Sequence, residues 1–121
     1  MTKVVFGNAE EGLNSGGWFL GHFITPFDDL RSTEDLEVKW GVHSSGDSRT
    51  EWAVNHQAAT LSILIKGRFR LKFEDREVVL SRSGDYALWC AGVAHTWVAE
   101  SDCTILTVRW PSKPGDSVGM Q

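Results

Sequence analysis

The chain has 121 residues and a mass of 13.5 kDa, which is room for one domain with a core of its own. Hydrophobic residues make up 41% and charged residues 23%, ordinary globular values, and a net charge of -4 with an isoelectric point near 5.5 provides no basic field for a phosphate backbone, so nucleic acid is not an expected partner. The segment Met1 to Asn8 lacks an apolar stretch of signal-peptide length, and no later run approaches the roughly 20 apolar residues that span a bilayer. The expectation is a soluble cytoplasmic protein with no membrane partner.

Residues 1–36 read as a lead-in punctuated by Gly12, Gly16, Gly17, Gly21 and Pro26, whose Trp18-Phe19-Leu20 and Phe23-Ile24 supply one or two strands that pack on the rest of the domain; His22 is given no role there. Residues 37–110 read as the core of an all-β protein. Glu37 to His43 alternates, Leu61 to Ile65 comes next, and Arg68-Phe69-Arg70-Leu71-Lys72-Phe73 is strict period two, with cations on one face and apolar residues on the other. Glu77 to Leu80, Tyr86 to Trp89, His95 to Val98 and Ile105 to Trp110 continue the series, separated by Gly, Ser, Asp or Asn. Short strands at this spacing argue a sandwich or barrel, and no segment carries a helical stripe. Residues 111–121, beginning Pro-Ser-Lys-Pro-Gly-Asp-Ser, read as a flexible tail.

Six tryptophans, Trp18, Trp40, Trp52, Trp89, Trp97 and Trp110, lie in or beside these strands. Core filling accounts for most of them, and a barrel with a cavity also lines it with aromatics. Cys90 and Cys103 lack the C-x-x-C spacing and the density of a secreted framework, and are expected to be two free thiols. Ser62 and Lys66 stand four apart on a strand, roughly 13 Å along it, which is no nucleophile and base pair, so a signal peptidase is not expected. No phosphate loop or nucleophile elbow occurs.

The stretch from Gly84 to His95 is a strand, a glycine-pinned turn and a second strand opening on an imidazole. Its spacing, Gly84, Gly92, His95, with Cys90 and Ala99 at the positions of a proline and an asparagine, resembles the second motif of the cupins. The turn Ile65-Lys66-Gly67 is similar to the end of their first motif, and counting back from Gly67 puts Thr60, His56 and Val54 where that family carries glutamate, histidine and histidine. The resemblance covers roughly residues 37 to 110 and implies a cupin-type double-stranded β-helix, a jelly-roll barrel.

It also implies a metal held by three imidazoles and a carboxylate, and here those positions supply only His56 and His95. A divalent transition metal thus has an incomplete ligand set unless His43, or an oxygen from Glu51, Asn55 or Gln57, completes it. Period two puts Trp52, Val54 and His56 on one face. The expected ligand pocket is Trp52, His56, Thr60, Ser62, Leu64, His95 and Trp97, with His56 and His95 within about 4 to 7 Å of each other. Lys39 and Arg109 become anion clamps if the strand register turns them inward. Arg49 and Glu51 flank a Gly-Asp-Ser turn and read as a solvated loop.

Three readings of function remain open at this level: a small-molecule-binding barrel that has lost metal ligands, a metal-dependent oxygenase or isomerase with an atypical ligand set, and a dimeric scaffold or sensor domain. With Thr60, Ser62 and Leu64 inward, Leu61, Ile63 and Ile65 form an outer apolar row that calls for a cover, and a homodimer is expected there.

Overall fold

The computed structural model of the chain describes residues 3–120. Ten strands come after one short 3₁₀ turn, Ala9–Ser15: β1 (Trp18–Leu20), β2 (Glu37–His43), β3 (Ser48–Asn55), β4 (Ala59–Lys66), β5 (Phe69–Phe73), β6 (Glu77–Leu80), β7 (Tyr86–Trp89), β8 (His95–Ala99), β9 (Cys103–Trp110) and β10 (Ser117–Met120). They form two antiparallel five-stranded sheets, in the order β1-β2-β9-β4-β7 and β10-β3-β8-β5-β6, as expected of an all-β double-stranded β-helix. Within β5 the alternation behaves as period two requires, with Phe69 and Leu71 buried and Arg70 and Lys72 on the outside. Leu64, Phe69, Leu71, Leu80, Trp89 and Ile105 pack together between the sheets as the core.

Two glycines carry backbone that other residues enter at a cost. Gly67 turns the chain at φ 95, and a Cβ there would run into the carbonyl of Asp102. Gly92 turns at φ 85 and donates its N–H to the Asn55 carbonyl at 2.8 Å, which locks the turn that launches β8 and His95.

The lead-in supplies one of the one or two strands that its sequence pattern predicts. Trp18–Leu20 pairs with β2, whereas Phe23 and Ile24 lie in a turn, and the 3₁₀ turn is opened by a capping box between Asn8 and Glu11 that the strand periodicity could not reveal. The two cysteines are unpaired, Cys90 exposed and Cys103 buried.

The segment after Pro111 is not a flexible tail over its described residues. Ser112 is fully buried, and Ser117–Met120 adds an edge strand to β3 in the register Ser117 to Asn55 through Met120 to Trp52. Between them Asp116 turns its carboxylate back on the β3–β4 turn, accepting from Gln57 N at 2.7 Å, Ala58 N at 3.1 Å and Asn55 Nδ2 at 3.2 Å. Those bonds hold the Asp116 carboxyl below its ordinary range in spite of burial. Asp116→Ala should strand two backbone donors and lower stability by about 2 to 3 kcal/mol, read as a shift of the urea midpoint with unchanged slope.

Candidate functional site

A cavity of about 50 Å³ lies inside the barrel between the two sheets. Period two on β2 sends Lys39, Gly41 and His43 to its wall, while β4 contributes Thr60 and Ser62, β9 contributes Thr107 and Arg109, and β8 contributes His95 and Trp97. Arg49 joins them from β3. It pairs with Trp97, after which the β3–β8 register slips before Ala53 meets His95, so an irregularity in the ladder sits beside this arginine. The Arg49 carbonyl is held by the Thr96 hydroxyl. Phe69, Leu71, Trp89 and Ile105 complete the apolar wall.

Of the expected pocket, Thr60, Ser62, His95 and Trp97 line this cavity, and Trp52, His56 and Leu64 do not. Leu64 is fully buried in the core beside it. Trp52 and His56 fall outside the cavity for one reason: on β3 the buried positions are Ala53 and Asn55, so the face carrying Trp52 and Val54 is the outer one. His56 lies past the strand end, exposed, in the turn that Asp116 clasps, and its own N–H goes to the Asp116 carbonyl at 3.0 Å. His56 and His95 therefore do not share a cavity. Arg49 is the opposite case, read as a solvated loop residue and found on the cavity wall. The inward turn of Lys39 and Arg109 comes from the same register that pairs Lys39 with Thr107 and Glu37 with Arg109.

His95 is 3% exposed and its Nδ1–H donates to the Val93 carbonyl at 3.0 Å, which leaves Nε2 as the unprotonated nitrogen. Burial lowers its pKa, and the charges of Arg109 and Arg49 push the same way. His43 tilts over Trp97 with centroids 4.3 Å apart and stacks on Phe69 at 5.7 Å; burial first and then Lys39 lower its pKa. Both imidazoles are neutral at pH 7 on these grounds.

The strongest electrostatic feature is cationic. Lys39, Arg49 and Arg109 all border the cavity, and among the described residues no carboxylate does. Burial, then Arg109 and Arg49, bring the Lys39 ammonium down to about 8. Arg109 Nη1 lies 3.4 Å from Glu37 Oε2, but its buried Nε has no partner among the described residues. Nor do two other buried groups of the wall, Thr60 Oγ1 and Trp89 Nε1. Trp18 of the lead-in lies against two of these cations, its ring centroid 5.8 Å from Lys39 Nζ and 4.8 Å from Arg109 Cζ.

The metal set that the sequence suggested does not fit these residues. Among the described residues no three histidine, cysteine or carboxylate side chains converge, and the cavity holding His43 and His95 carries three cations whose field opposes a divalent ion.

No family model matches the chain, and no curated protein does. Solved structures do. KdgF of Halomonas sp. superposes with a TM-score of 0.58 at 23% identity, covering 67% of this chain and 74% of that one. A Klebsiella pneumoniae protein with a double-stranded β-helix domain reaches 0.64 at 17% identity over 74% and 77% of the two chains. An RmlC-like cupin of Shewanella frigidimarina gives 0.58 at 17% identity over 67% and 70%. With this strand order and these neighbours, the chain has the cupin fold, a double-stranded β-helix.

Proposed function

We propose that the barrel is a small-molecule-binding module whose cavity works without a metal ion. The observation that carries this reading is that three cross-strand neighbours lining the cavity, Thr60, Trp89 and Arg109, each hold a buried polar atom, Oγ1, Nε1 and Nε, with no partner among the described residues. Leaving such groups unsatisfied costs about 1 to 3 kcal/mol each, so a site that retains them is built for a polar guest. Elemental analysis of untagged protein is expected to find no stoichiometric transition metal, and native mass spectrometry to find a small organic adduct that His56→Ala leaves in place. One equivalent of tightly held metal, lost on His95→Ala, would overturn the reading.

Lys39 gives the site a signature in stability. Its folded pKa, about 8, lies below the ordinary lysine value of 10.5, so between those limits the unfolded chain binds more protons and stability rises with pH. The cost of the buried ammonium is present in full below pH 8. Lys39→Met is expected to stabilise the protein at pH 7 by about 1 to 4 kcal/mol, with the gain shrinking as pH rises from 8 toward 10.5 in parallel thermal melts.

The module acts as a homodimer in this reading. Cross-strand neighbours on the outer face of the β1-β2-β9-β4-β7 sheet form two uncharged rows, Trp40, Leu106, Ile63, Tyr86 and Val38, Val108, Leu61, Leu88. Tyr86 and Leu88 are 66% and 57% exposed. The other sheet instead covers its outer face with ion pairs, Arg70 to Glu77 and Glu100 at 2.9 Å each. An uncharged face matches a second copy of itself across a two-fold axis, with no charge to desolvate. Light scattering at micromolar concentration should give twice the chain mass, and Leu88→Glu should halve it; a wild-type monomer would sink the proposal.

A further inference from the structure

Resting on the reading of the cavity as a small-molecule site, we infer that its ligand is a small aliphatic monocarboxylate, held through its carboxylate by Lys39, Arg109 and the indole N–H of Trp89. The chemistry of the unpartnered groups selects the class. A guanidinium Nε–H and an indole N–H donate and never accept, and the Thr60 hydroxyl donates readily beside them, so the guest must be an acceptor. Three cations with no lining carboxylate among the described residues make that acceptor an anion. Glu37 sits behind Arg109, at 3.4 Å from Nη1, where it fixes the guanidinium and leaves Nε for the guest.

Size and wall chemistry narrow the class further. About 50 Å³, at about 10 to 15 Å³ for each water-sized guest atom group, has room for about three to five non-hydrogen atoms. Phe69 and Leu71 on the opposite sheet, with Ile105 beside the cations, favour a short carbon chain over phosphate or sulfate, which would lose hydration there without a partner. Trp18 stacks near Lys39 Nζ and Arg109 Cζ and lines a separate outer groove of about 440 Å³ that also includes Phe23.

The test tracks the Trp89 indole N–H resonance, assigned by its loss in Trp89→Phe, while full-length protein is titrated with propionate, with its neutral isostere propionamide and with inorganic phosphate. Propionate is expected to give a saturable shift at millimolar concentration, propionamide to bind at least about tenfold more weakly, and Lys39→Met to weaken propionate by a similar factor while Thr60→Val weakens it less. Equal binding of propionamide would overturn the carboxylate assignment and leave the small-molecule reading standing. Tighter binding of phosphate would also overturn it, in favour of an inorganic anion site. No shift with any of the three would overturn both.

Discussion

One buried carboxylate organises this molecule. Glu37 opens β2 and is hydrogen-bonded to a cation of the barrel; its Oε1 accepts from the Ser112 hydroxyl at 2.8 Å and its Oε2 lies 3.4 Å from Arg109 Nη1. Because the Ser112 hydrogen points to Glu37, the serine oxygen accepts from His22, through the backbone N–H at 3.0 Å and Nδ1 at 2.7 Å. A single charge thus ties the lead-in, the C-terminal segment and the cavity arginine. His22 acquires a structural role, and Ser112 is buried because it is the bridge.

That arrangement also separates the two functions of Arg109. One edge of the guanidinium answers a fixed carboxylate, which offsets its desolvation, and the rest faces a cavity shared with Lys39 and Arg49. Burial still pulls the Arg109 pKa down, with Arg49 pushing the same way, and the opposing pull of Glu37 and Asp116 does not cancel it. The fold has therefore kept an unfavourable charge balance where packing alone would favour apolar side chains, and such a cost is retained when something else depends on it.

The fold was legible because most of it is local. Period two in Arg68 to Phe73, the strand spacing and the Gly84, Gly92, His95 frame are each set by neighbours within a dozen residues, and each stands where the pattern placed it. The site was legible only where strands stay regular: Thr60, Ser62, His95 and Trp97 reach the cavity, as do Lys39 and Arg109, whose inward face hung on register. His56 and Trp52 failed for a long-range reason. The turn that ejects His56 is held by Asp116, some sixty positions on, and β3 presents Ala53 and Asn55 to the interior rather than the alternate set. Nothing within β3 itself signals that choice of face, since Trp52 and Val54 are the more apolar pair.

The same long-range pairing explains why a segment of Pro, Gly, Ser and Asp becomes ordered. Composition alone gives Pro111 to Ser117 too little apolar surface to offset its chain entropy. What orders it is polar: buried Ser112 meets Glu37, Asp116 meets three donors of the β3–β4 turn, and β10 then gains ladder bonds to β3. Each of those groups would be costly to leave unpaired on its own, so the segment and the barrel complete each other's hydrogen bonding. The closure reaches the cavity, since the carboxylate that receives Ser112 is the one that meets Arg109.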